Sequence, residues 1–159
     1  MSQYGVLAAR IQKELDLIRG TVNTASSQLE KAKQTGDRDY LQAAALSLQN
    51  FYMGVERVFE EVAKQVDRSS PTGASSHREL LDQMGLEIAK TRPAVIQSDT
   101  LEKLNDYRGF RHVVMHRYGA ELKPDRVQAL VEGLPECHTN FARDVQAFCQ
   151  FLLHLEASI

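Results

Sequence analysis

No stretch of the chain approaches the ~18 consecutive apolar residues that a membrane span needs, which excludes a transmembrane helix. Cysteine is scarce: Cys137 and Cys149 are the only two, and neither belongs to a CxxC pair. On one helix their twelve-residue spacing leaves them about 120° apart around the axis, so they read as buried structural thiols and not as a disulfide, a redox centre or zinc ligands. The nine glycines are scattered, without GxGxxG or a Walker-type GK(S/T), and HExxH, GxSxG and a DxDxDG calcium loop are missing as well. Enzymes that depend on a nucleotide-phosphate loop, a zinc site or a nucleophile elbow are thereby disfavoured, and no cofactor or metal is expected. Nor is one sign of charge in excess. A net charge of −2 and a pI near 6.2 give no global attraction to nucleic acid, so any such contact must come from a local patch. The N-terminus, MSQYGVLAARIQKELDL, has no apolar signal core with a cleavage site, and with so few cysteines the expected location is cytoplasmic. What remains is the composition of a folded globular protein, 43% hydrophobic and 25% charged, long enough at 159 residues for one domain spanning 1–159.

The apolar residues repeat at helical spacing. Leu7, Ile11, Leu15, Ile18, Val22, Ala25 and Leu29 trace one face of a first long helix, which Thr35-Gly36-Asp37 interrupts. Leu41, Ala45, Leu48, Tyr52, Val55, Phe59, Val62 and Val66 continue the pattern, and so short a connection makes the second helix an antiparallel neighbour of the first. Residues 68–75 read as a loop, and Ser76-x-x-Glu79 reads as a capping box opening a short third helix that ends before Pro93. Ser98 or Asp99 can cap a fourth helix, with Gly119 at its end. Pro124 suits the first turn of a fifth stretch, with Val127, Leu130, Leu134, Phe141, Val145, Phe148, Leu152 and Leu155 on its stripe and Pro135 predicted to kink or split it. No segment alternates with a period of two. The fold class is all-α, an antiparallel up-and-down bundle of four to five helices.

Residues 101–118, LEKLNDYRGFRHVVMHRY, depart from the acidic balance. Lys103, Arg108, Arg111 and Arg117 stand against Glu102 and Asp106, and His112 and His116 can add charge near neutral pH. On a helix Arg111 shares a face with Leu104, Tyr107, Val114 and Tyr118, a conspicuous place for an arginine. Arg111 and His116, five residues apart, diverge by about 140° on a regular helix. They converge on one atom only if the last turn unwinds or if two copies of the helix meet, and the second case predicts a homodimer. Arginine and histidine suit metal-independent RNA cleavage: the substrate's 2′-hydroxyl attacks phosphorus, a histidine moves a proton, and a guanidinium fork stabilises charge on the phosphate. Arg108 and Arg117 are candidates to track the RNA backbone, with solvated helix charge as the plainer reading. Glu56-Arg57 of the second helix is a candidate to help line the cleft, with an ordinary surface ion pair as the plainer reading. His77, His138 and His154 read as structural or solvated, and Tyr52 and Tyr107 as core aromatics.

Arg111-His-Val-Val-Met-His116-Arg-Tyr118, preceded by Gly109-Phe110 and followed by Gly119, resembles the Arg-x₄₋₆-His motif of HEPN-domain ribonucleases, in particular the HepT-like toxins with Arg-x₄-His-x-Tyr. The order of two long helices, a short one and then the motif helix is similar over most of the chain. The resemblance implies a homodimeric HEPN bundle with both motifs lining a shared cleft, and a metal-independent ribonuclease with Arg111 and His116 as the catalytic pair. His112, Arg108 and Arg117 are the supporting, RNA-contacting candidates beside that pair. The resemblance also implies a toxin of a type VII-like toxin–antitoxin system, silenced when a minimal nucleotidyltransferase antitoxin uses ATP to attach AMP to Tyr118. No membrane or DNA partner is expected. The alternative is a noncatalytic HEPN-like bundle that binds a nucleotide or docks a nucleotidyltransferase.

Overall fold

The computed structural model describes residues 3–116 and 122–158, with the side chains of 113–116 outside the description. Five helices follow in chain order: α1 Gln3–Thr35, α2 Arg38–Val62, α3 Ser76–Met84, α4 Ser98–His116 and α5 Pro124–Ala157. Among the described residues there is no strand beyond a single antiparallel bridge between Ile88 and Arg92, and no helix is long and apolar enough to cross a membrane. The all-α bundle expected from the apolar spacing is the fold of this chain.

Each expected stripe faces one shared core. Leu7 through Leu29 on α1 and Ala45 through Val62 on α2 are buried, with Leu41 and Val66 only partly so at the stripe's two ends. Gly36 turns the chain between the two helices at a positive φ of 71°, a backbone state that favours glycine, and the Asp37 side chain accepts from the Asp39 N–H to cap α2. Glycine also has a purpose inside α2. A Cβ at Gly54 would stand 2.8 Å from Ile18 Cγ1, so its absence lets α1 and α2 approach closely.

α2 does not end cleanly at Val62. One turn of π-helix, Ala63–Asp67, follows, and left-handed Arg68 (φ 58°) closes it, with the Ser69 N–H returning to the Ala63 carbonyl. That turn delivers the Asp67 carboxylate, its side chain 2% exposed, to Arg92 in the α3–α4 connection. Arg92, 3% exposed, donates Nε to Asp67 Oδ1 (2.5 Å) and Nη2 to Asp67 Oδ2 (2.8 Å), and it also reaches the carbonyls of Gln83, Leu86 and Pro93. This buried fork orders a connection that the sequence pattern left featureless.

Two local expectations need correction. α3 opens with Ser76 already inside the helix: Ser75 is the N-cap, its side chain makes no capping bond, and the Glu79 N–H bonds to the Ser75 carbonyl instead. α5 runs unbroken from Pro124 through Pro135 to Ala157, so Pro135 does not split it; the proline ring itself is exposed. Pro124 stands in the first turn as expected. The N-terminus of α4 is capped from another helix, since buried Asp144 of α5 accepts from the Gln97 N–H (2.9 Å) and the Thr100 hydroxyl (2.6 Å). Gly119 lies outside the described residues.

Cys137 and Cys149 are free and buried, and burial pushes their thiols up to about 12 and about 11 respectively. Both thiols are therefore expected to resist an aromatic disulfide reagent at pH 8 in the native protein and to react in denaturant; rapid native labelling of Cys137 would contradict the packing described. Arg92→Met preserves bulk but strands the Asp67 carboxylate. It is expected to cost about 3–5 kcal/mol in urea unfolding, and a loss under about 1 kcal/mol would show that the pair carries little.

Candidate functional site

α4 is apolar on the side facing the bundle, where Leu104, Tyr107 and Phe110 are buried. The Tyr107 hydroxyl donates to the Leu130 carbonyl on α5 at 2.7 Å, and its ring meets Phe51 of α2 edge-on. This packing fixes the rotation of α4 and brings Arg111, its side chain 17% exposed, against α2.

There it meets Glu56. This carboxylate is 5% exposed, and it contacts Arg111 Nη1 at 3.8 Å and His77 Nδ1 of α3 at 2.6 Å. Three helices thus converge on one buried acid. Glu56-Arg57 is not a surface ion pair, because adjacent residues on a helix point about 100° apart: Glu56 turns inward while Arg57 turns out to Glu14 of α1, at 3.2 Å. His77, expected to be merely structural or solvated, is a member of the cluster. Its signal in the sequence was faint, since no local spacing links residues 56, 77 and 111.

Beside the cluster opens a cavity of about 260 Å³ lined by Ala74, Ser75, His77, Arg78, Arg108, Arg111 and His112. Among the described residues no carboxylate lines it, whereas three arginines and two histidines do. A larger groove of about 430 Å³ between α1 and α2 has lining charges of both signs, with Arg57 paired to Glu14 and Arg10 near Glu61, so it offers no comparable attraction to an anion. Arg111 Nε is buried and has no hydrogen-bond partner among the described residues. The same holds for the Tyr52 hydroxyl. Burial first, and the Glu56 carboxylate second, push that phenol well above its ordinary value, while Arg108 and Arg111 pull the other way.

Of the residues singled out in the sequence, Arg108, Arg111 and His112 come together at this cavity, with Arg108 also bonded to Asn105 at 2.9 Å. His116 is the last described residue of α4, and its side chain is outside the description; Arg117 and Tyr118 lie outside the described residues altogether. The backbone stays helical through His116, so the turn between Arg111 and His116 is not unwound and the two positions remain about 140° apart. His138 and His154 are elsewhere: burial lowers His138, and His154 Nδ1 is bonded to the Gln150 carbonyl.

Such a site can bind an anion through several guanidinium groups, one of them braced by a buried carboxylate. Tyr52→Phe removes a hydroxyl without a described partner, so stability in urea is expected to be unchanged or to rise by up to about 1 kcal/mol. A loss greater than that would reveal a partner for the hydroxyl. Among known proteins, the family described as HepT-like protein matches residues 43–152, a span that includes Glu56, His77 and the whole of α4. No curated protein and no solved structure matches the chain.

Proposed function

This chain belongs to the HepT-like family of HEPN-domain proteins, and from that premise we propose that it is a metal-independent ribonuclease acting as a toxin. The observation that carries the reading is the placement of Arg111 of the Arg-x₄-His-x-Tyr motif at a cavity whose described charged and titratable lining is arginine and histidine, with Glu56 behind it. A guanidinium held in this way keeps its fork oriented before substrate arrives, so charge gathering on a phosphate meets a donor that needs no rearrangement. Arg108 and Arg78 lie along the same cavity and suit the neighbouring phosphates of an RNA strand. His112 and Arg117 are supporting residues in this reading.

The reaction is attack of the 2′-hydroxyl on phosphorus with release of the 5′-oxygen, leaving a cyclic phosphate. Arg111 stabilises the charged phosphorane, and His116 moves a proton. Because α4 is regular between them, the two residues meet through a second copy of the chain, one protomer's arginine standing near its partner's histidine. A homodimer with a shared cleft is therefore part of the proposal. Tyr118, two residues beyond His116, is the site at which a minimal nucleotidyltransferase antitoxin attaches AMP, and the added phosphodiester charge and bulk oppose entry of RNA.

Purified protein is expected to cut RNA in EDTA. Arg111→Lys, which keeps a cation beside Glu56 but loses the fork, and His116→Ala are each expected to lower the rate by about 10²-fold or more while the urea midpoint is retained. Variants that cut like the parent would overturn the assignment, and a folded parent that binds nucleotide without cutting would favour the noncatalytic bundle. With ATP and the nucleotidyltransferase, intact-mass measurement is expected to show AMP increments that vanish in Tyr118→Phe; their persistence would place the modification elsewhere.

A further inference from the structure

His77 is outside the Arg-x₄-His-x-Tyr motif, yet it shares both a carboxylate and a cavity with the motif arginine. Its Nδ1 lies 2.6 Å from Glu56 Oε2, and an ionised carboxylate can only accept, so the ring hydrogen sits on Nδ1. Proton exchange with a ligand then falls to Nε2. The ring is half exposed and lines the basic cavity beside Arg78, Arg108, Arg111 and His112. A buried acid fixing the tautomer of an accessible imidazole, next to a cation that binds phosphate, is the arrangement that general-base catalysis needs: the acid orients the ring and stabilises the imidazolium formed when it takes a proton.

We propose that His77 is a further catalytic residue, the base that removes the 2′-hydroxyl proton, with Glu56 as its positioning residue; this rests on the ribonuclease reading above. His77 Nε2 takes the proton as the 2′-oxygen forms its bond to phosphorus. The P–O5′ bond breaks, the electron pair leaves with the 5′-oxygen, and that oxygen takes a proton from the His116 imidazolium. His77 then returns its proton to water and His116 regains one, so the cycle closes without any other reactant. The groups facing His77 are Glu56 and Glu60 of α2, its neighbour Arg78 on α3, and Arg108, Arg111 and His112 of α4. Of these described groups, Glu56 lies within hydrogen-bond distance. Because it also holds Arg111, one carboxylate sets the spacing of base and phosphate-binding cation.

The test compares parent, His77→Asn and His77→Ala. The asparagine amide can stand where Nδ1–H was and keep the bond to Glu56, but it cannot exchange protons. His77→Asn is expected to keep its urea midpoint and to cut RNA about 10²-fold or more slowly, losing the acid-side limb of the kcat/KM profile against pH. Added imidazole is expected to restore cutting by His77→Ala in proportion to its unprotonated form. A substrate with an activated aryl leaving group in place of the 5′-nucleoside is expected to rescue His116→Ala and not His77→Asn. A parent that cuts while His77→Asn cuts equally well overturns the role alone. So does a slowing that is uniform across pH and indifferent to imidazole. A parent that does not cut RNA at all overturns the ribonuclease reading and this role with it.

Discussion

A carboxylate taken out of water must find charge or hydrogen bonds close by, and Glu56 finds both: Arg111 from α4 and His77 from α3. It lies on α2 near Tyr52, Val55 and Phe59 and is 5% exposed, so its partners reach it from the neighbouring helices. The consequence runs outward from that point. α4 must present Arg111 inward and α3 must begin where His77 can reach back, so the basic cavity is enclosed by the helices that compensate the buried acid. Removing Glu56 would leave Arg111 at a basic cavity without the carboxylate that it meets at 3.8 Å.

Much of the fold was legible in the amino-acid sequence because burial imposes a period. The stripes on α1, α2 and α5 and the turn at Gly36 follow from apolar spacing and a single glycine. The connection between α3 and α4 was not legible. Its order comes from Arg92 meeting Asp67 across 25 residues and from the Met84 carbonyl taking the Val95 and Ile96 amides, and neither contact leaves a local pattern. Asp144, which caps α4 from α5, was hidden for the same reason. Where spacing stood in for contact, as with Glu56-Arg57 and the Ser76 capping box, the inference failed because neighbours in sequence can face different partners.

The site divides in the same way. Arg111, His112 and Arg108 were found through one charged helix turn, and the structure groups them at one cavity. His77 was not, and Glu56 stood only as a weaker candidate beside Arg57, because each is an ordinary residue in its own segment and acquires meaning only by convergence. The family match spans all three segments and agrees with the fold. The regular course of α4 through His116 bears on the architecture as well: a straight helix disperses its residues around the axis, so a site needing both Arg111 and His116 must be completed by something outside that helix.

The stretch 85–97 has the irregular outline of a flexible connector, yet it is tied down from within by Arg92 and by the amides of Val95 and Ile96. To open it, the buried Arg92–Asp67 fork must break, and that fork is also what anchors the π-turn at the end of α2. Such a segment belongs to the same cooperative unit as the core rather than to the fraying surface. The end of α2, the start of the α3–α4 connection and the entry to α4 are therefore joined through one buried fork. The helices that carry Glu56, His77 and Arg111 are tied together some distance from all three residues, by a loop that is not part of the described cavity lining.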